Sequence, residues 1–187
     1  MLRNILPDSR CSASDGMDSR LEKLSSAVTA AIADLSSEEL SWHPSGKWCA
    51  AEILEHLYLT YTGTSKGIER TLSSGQLFVT ADSMRLRARR FIVLGLSYLP
   101  SGRESPPVAR PKGLPSETVR SEFAAQIRRM DSLLAECESR FGKIAILDHP
   151  ILGPLTAAQW RKFHYLHGRH HERQILGLRQ KLRAQKS

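Results

Sequence analysis

The sequence predicts an all-α fold, a four-helix bundle whose long crossover segment carries an extra helix. Three observations predict it. Four separated segments repeat their apolar residues every three to four positions, the period of one helix face. No segment alternates apolar and polar residues as a half-buried strand would. Residues 100–115 hold five prolines and two glycines, which suits an extended connection and not a helix. Helices that bury one face against one another are the layer arrangement that remains.

Residues 1–16 are polar, with Pro7, Gly16 and scattered serines, and read as a disordered leader. Met17 stands just before the first helical pattern and is a candidate start, and residues 17–187 read as one domain. The first helix is expected from about Asp18 to Leu35, with Leu21, Leu24, Val28, Ala31, Ile32 and Leu35 on one face. Trp42-His43-Pro44-Ser45-Gly46 carries a turn signal and reads as a loop. The second helix is expected from about Ser45 to Ser73, with Trp48, Ala51, Ile53, Leu54, Leu57, Tyr58 and Tyr61 as its apolar positions. Gly63 and Gly67 in it allow close approach of a neighbour, leave room for a ligand, or are ordinary small-residue packing.

Residues 74–115 are the least regular part, and form the expected crossover or lid. Within them, Asp82 to Tyr98 forms an amphipathic helix that turns Arg85, Arg87, Arg89 and Arg90 outward. The third helix begins near Ser116-Glu117, where a cap is expected. It buries Phe123, Ile127, Met130, Leu133, Leu134 and Cys137, and stops at Gly142. Asp148 to Thr156 reads as a structured loop, with Thr156 as the cap of the fourth helix. Leu155 to Gln180 contains no proline, so that helix can be long.

A chain of 187 residues is large enough to bury a real core, and 41% hydrophobic with 25% charged residues fits a globular protein. The longest apolar run, Phe91 to Leu99, is far short of the roughly 20 residues a membrane helix needs. No apolar signal-peptide core follows the N-terminus. Cys11, Cys49 and Cys137 are distant and odd in number, which suggests a reduced, cytoplasmic protein. The formal charge of +8 permits an acidic partner, but its excess gathers on residues 85–90 and along the last helix. No nucleic-acid motif accompanies it, so a solvated basic face is the expectation.

The chemistry points to the C-terminal run Phe163-His164-Tyr165-Leu166-His167-Gly168-Arg169-His170-His171. It contains four of the seven histidines. His167 and His171 are four apart, so a helix stacks them on one face, where two imidazoles grip one metal ion. Trp160, His164, Gln174 and Leu178 share that stripe, a mixture that suits a lined pocket better than a plain core. The candidate third ligand is His56, far upstream in the second helix. The expected site is one metal between His56, His167 and His171. Glu52, one turn before His56, orients a ligand, acts as general base, or is a surface carboxylate paired with a cation. His164, His170 and Gln174 are reserve contributors. His43 and His149 sit beside prolines in loops and suit structural roles, and Cys49 reads as a buried inert thiol.

Two blocks carry a family resemblance. Trp48…Glu52-Ile53-Leu54-Glu55-His56-Leu57 resembles the second-helix motif of the DinB/YfiT-like bundle superfamily. His149-Pro150…Gly153-Pro154-Leu155-Thr156…Trp160…Phe163-His164…His167…His170-His171…Gln174-Ile175 resembles its C-terminal motif. The pair, in this order and separation, looks like the DUF1569-type branch and spans about Asp18 to Gln180. The resemblance implies metalloenzyme-like proteins, often dimeric, with a three-histidine site holding zinc or nickel. Carried over, those ligands are His56, His167 and His171. It also implies that some relatives use low-molecular-weight thiols. Apolar residues such as Phe91, Ile92 and Leu94 add to the expectation of a homodimer.

Three neutral imidazoles leave coordination positions open, the pattern of a catalytic zinc site. A metal-dependent hydrolase or thiol-dependent transferase acting on a small molecule is therefore the leading expectation. A metal-bearing binding or stress-response module without catalysis is the second, and a basic helical nucleic-acid binder the third.

Overall fold

The structure is a computed structural model and describes residues 16–100 and 105–186. The leader expectation for residues 1–16 lies outside the described residues except for Gly16, as does Cys11. The chain is mostly helical. Its helices are α1 (Ser19–Ile32), α2 (Ser37–Ser41), α3 (Ala50–Ser74), α4 (Met84–Arg90), α5 (Ser116–Phe141) and α6 (Ala157–Lys186). The longer helices α1, α3, α5 and α6 pack on one another in a bundle-like core. Its centre is Leu21, Leu24 and Val28 of α1, Leu57 and Tyr61 of α3, Phe123, Ile127 and Met130 of α5, and Ile175 of α6. Each such side chain contributes roughly 1.5–3 kcal/mol by leaving water.

Several boundaries differ from the sequence expectations, each for a local reason. α1 ends at Ile32, short of Leu35, and Ser36 opens α2 through a reciprocal cap with Glu39. α3 begins at Ala50 and not near Ser45. Gly46 takes a left-handed turn at φ 70°, and Cys49 caps the helix with Glu52. α5 starts at Ser116 with Pro115 in the cap position, so neither Ser116 nor Glu117 caps it. Thr156 does cap α6. Its hydroxyl accepts the Gln159 N–H at 3.2 Å, and the Gln159 side chain accepts the Thr156 N–H at 3.0 Å.

The helix expected over Asp82–Tyr98 is shorter and changes pitch. α4 ends at Arg90 and passes into one wide turn over Phe91–Gly95, in which the Leu96 N–H reaches back five residues to the Phe91 carbonyl at 2.9 Å. Arg85, Arg87 and Arg89 face outward as expected, but Arg90 turns inward. It donates to the Leu152 carbonyl at 3.1 Å and pairs with Asp82 at 2.6 Å.

The all-α expectation needs one correction. Residues 145–156 form a small antiparallel hairpin, β1 (Ala145–His149) and β2 (Gly153–Thr156), where a structured loop was expected over 148–156. Strands of five and four residues are too short to show alternation in sequence. The hairpin is held by its neighbours. Gly67 of α3 lies so close to β1 that a Cβ there would sit 2.6 Å from the Leu147 side chain. The expected close approach is thus realised at Gly67, against a strand, while Gly63 meets nothing within 4 Å.

One ion-pair network ties the bundle together beside this hairpin. Asp131 of α5 is buried and accepts from Arg161 of α6 at 2.6 Å and from the Asp18 backbone N–H at 2.8 Å. Arg161 also bonds Glu138. The start of α1, the middle of α5 and the first turns of α6 are thereby clamped, which fixes the register of α6 and its histidines.

Candidate metal centre

α6 presents His164, His167 and His171 toward α3, and α3 presents His56 toward α6. His167 and His171 stand one turn apart because nothing between Ala157 and Lys186 interrupts the helix. Close helix packing is allowed by Gly168, where a Cβ would press on Leu24 and come within 2.9 Å of the Tyr61 hydroxyl. His56 is fixed in α3, with Trp48 stacked obliquely at 5.2 Å.

The three sequence-predicted ligands converge. The Nε2 atoms of His56 and His167 lie 3.1 Å apart, as do those of His167 and His171. All three lie within 4.8 Å of one another. Nitrogen ligands at ~2.0–2.1 Å from a metal sit about 2.9 Å apart at a right angle and about 3.3 Å apart at a tetrahedral one. The two 3.1 Å spacings fall between these values, and with the third pair within 4.8 Å the three rings could hold a divalent ion.

The outer ring nitrogens decide the protonation of the inner ones. His56 Nδ1 donates to the Ala109 carbonyl at 2.7 Å. His171 Nδ1 donates to the Gln174 side-chain carbonyl at 2.8 Å, and the Gln174 amide donates to His170 at 3.1 Å. A carbonyl only accepts, so both Nδ1 atoms carry the proton, and both inner Nε2 atoms carry a lone pair. His167 Nε2 can offer a proton to one of them but not to both. At least one 3.1 Å contact therefore sets a lone pair against a lone pair. A cation relieves that repulsion, and burial opposes a proton as that cation. His56 and His171 are 3% and 8% exposed. Burial pushes the His56 and His167 rings below the usual imidazole range and His171 down to about 3, with the neighbouring imidazoles adding to the effect at His167 and His171. His167 Nδ1 is buried without a hydrogen-bond partner among the described residues, so it is the one ligand lacking outer support.

Other predicted residues fall elsewhere. Glu52 stays one turn before His56, but its Oε2 accepts the Cys49 backbone N–H at 2.8 Å as part of the α3 cap. The convergent set contains no carboxylate among the described residues. Cys49 is buried and its thiol is pushed up by burial, as expected of an inert thiol. His164 is fully buried, meets Thr64 at 3.1 Å and stacks on Trp160, outside the convergent set. His43 is exposed in its loop, against the Pro44 carbonyl at 3.0 Å. His149 closes the hairpin turn, where its Nδ1 accepts the N–H groups of Ile151 and Leu152 at 3.1 and 3.2 Å.

Sequence reasoning missed two participants. The Ala109 carbonyl comes from the irregular segment before α5, and a backbone oxygen has no residue signature. Glu55, adjacent to His56, is a buried carboxyl group, at 3% exposure, and Glu172, adjacent to His171, is another, which bonds Arg169. Only the 3.6-residue wheel, which places Glu55 beside the apolar face of α3, could have marked it.

A family model described as a protein of unknown function, DUF1569, matches residues 13–177. No curated protein and no solved structure matches the chain. The matched span contains all three convergent histidines and agrees with the DinB/YfiT-like resemblance of the two sequence blocks. The chain belongs to the DUF1569 family.

Proposed function

We propose that this protein is a metal-dependent hydrolase or thiol-dependent transferase that acts on a small molecule through His56, His167 and His171. The observation that carries the reading is the pair of outer hydrogen bonds, to Ala109 and Gln174, which turn two lone pairs onto one point. Zinc or nickel is the proposed occupant, since imidazole suits both. A divalent ion held by three protein ligands supplies Lewis acidity to a water or thiol presented at its open positions. The chain's part is to hold three neutral rings in a buried place and resist their protonation. Glu52 is proposed as the nearby base or orienting carboxylate. Its position on the His56 turn of α3 supports this, and its cap to Cys49 engages one oxygen only.

The protein is proposed to be cytoplasmic, one domain over residues 17–187, and a homodimer. Free, buried Cys49 and Cys137 support the first point. Among the described residues no helix is long and apolar enough to cross a membrane. Exposed Met84, Phe91 and Ile92 on α4 and its wide turn, with Leu96 and Tyr98 just beyond it, support the dimer, whereas Leu94, expected to join them, is buried in the core. Nucleic acid is not a proposed partner, because no nucleic-acid motif accompanies the charge and several arginines are engaged in ion pairs or backbone contacts. Arg87 and Arg90 pair with Asp82, Arg161 with Asp131, and Arg179 bonds the Ala31 carbonyl at 2.8 Å.

Elemental analysis of purified variants tests the metal reading. His56→Ala, His167→Ala and His171→Ala each lose most of the metal, while His43→Ala and Glu52→Gln keep it. Full occupancy in both His56→Ala and His167→Ala refutes the site.

A further inference from the structure

The segment before α5 is a strap laid across the His56 side of α3. It carries Pro106, Pro107, Pro111 and Pro115, which stiffen it, and a single tight turn in which the Ala109 N–H meets the Pro106 carbonyl at 2.9 Å. Two groups of α3 grip it, and they are sequence neighbours. His56 Nδ1 takes the Ala109 carbonyl at 2.7 Å. Glu55 takes the next part of the strap with both oxygens, accepting the Lys112 N–H at 2.6 Å and the Gly113 N–H at 3.1 Å. Gly113 bends away there at φ 81°, a conformation that suits glycine.

A buried carboxyl group that spends both oxygens on backbone N–H groups makes a strong, directional anchor. Two residues of strap, Arg110 and Pro111, separate Ala109 from Lys112, and Pro111 removes much of their freedom. Where Glu55 holds Lys112 and Gly113, the Ala109 carbonyl has little room to move. That carbonyl is the acceptor that keeps the proton of His56 on Nδ1 and its lone pair on Nε2.

We propose that Glu55 is a positioning residue for the metal centre, pinning the 105–115 strap so that the Ala109 carbonyl locks the His56 ring in its ligating tautomer and orientation. The proposal rests on the metal reading above. It assigns the strap the role of outer support for one ligand, which Gln174 fills for another. Outer partners of ligating histidines typically change metal affinity by about 10–100-fold when removed. Glu55 is itself buried and holds the strap with both oxygens, so Glu55→Ala belongs near the upper end. Glu55→Gln keeps one acceptor and the side-chain shape but turns a donor toward a donor, and belongs near the lower end.

The test uses the full chain with Co2+ and Zn2+. Affinity is read by competition with a chelator, and site geometry by the visible absorption of the Co2+ form. A lowered affinity in Glu55→Ala, a smaller loss in Glu55→Gln and a shifted Co2+ spectrum are expected. Glu69→Gln, on the exposed side of α3 beside Arg129, keeps wild-type values. If Glu55→Ala does not fold, Glu55→Gln carries the test alone. Wild-type affinity and spectrum in folded Glu55→Gln overturn the proposal when His56→Ala loses metal. If His56→Ala also keeps its metal, the metal reading itself fails, and this inference with it.

Discussion

Gln174 provides a graded perturbation of the metal centre that leaves every ligand in place. Its side-chain carbonyl accepts the His171 Nδ1–H at 2.8 Å. Gln174→Leu removes that acceptor, and leucine and glutamine have similar helix propensities, so α6 stays formed. Without the acceptor, His171 can place its proton on Nε2, where it blocks ligation. Loss of such an outer bond weakens metal binding by about 10–100-fold. Gln174 is exposed, so water replaces part of the lost bond, and the lower end applies. The expected loss is about tenfold, or about 1.4 kcal/mol. Gln174→Glu works in the opposite direction. A carboxylate accepts the same proton more strongly and makes the ring a better ligand, so affinity rises by up to about tenfold. Chelator competition with Zn2+ at pH 7 measures all three proteins, and nitrogen NMR of His171 reports which ring atom is protonated. Equal affinities across Gln, Leu and Glu, or tighter binding by Leu, would refute the tautomer argument.

Three further outcomes follow from the fold. Burial lowers the pKa of His149 to about 4 and that of His164 to about 3, against about 6.5 unfolded. Above pH 6.5 neither state binds these protons. Below it the unfolded chain takes up protons that the fold refuses, so stability falls with pH down to the folded values, by up to about 1.4 kcal/mol per unit per group. Urea midpoints measured with chelator present should drop from pH 7 to pH 5, and a flat or rising series contradicts this. Asp131→Ala leaves Arg161 with only Glu138 as its carboxylate partner and frees the Asp18 N–H, at a cost near the low end of the roughly 3–5 kcal/mol for a broken buried pair. Thermal unfolding should shift down by about 6–12 °C, and a shift under about 2 °C speaks against the clamp. Phe91→Glu, on a ring 64% exposed, should turn a dimer into a monomer by light scattering without loss of helix, and a wild-type mass throughout a dilution series counts against the dimer.

Local chemistry made much of this protein legible in its sequence. The pairing of His167 with His171 needs only that α6 be helical, because 3.6 residues per turn stack positions four apart. The apolar rows of Leu21, Leu24 and Val28, and of Phe123, Ile127 and Met130, mark their helices for the same reason, and Gly142 and Thr156 mark an end and a start through backbone freedom and capping. What depends on distant partners was not legible. His56, 111 residues from His167, was legible only as a candidate, and the packing of α3 on α6 is what brings its ring to the other two. The hairpin is too short for periodicity and exists because α3 and α6 hold it. The Ala109 carbonyl and the grip of Glu55 on the strap belong to backbone groups that every residue carries, so no residue pattern announces them. Sequence determined which side chains could bind a metal. Tertiary structure decided which did converge, and which proton each ring keeps, because a tautomer is set by the partner on its far side.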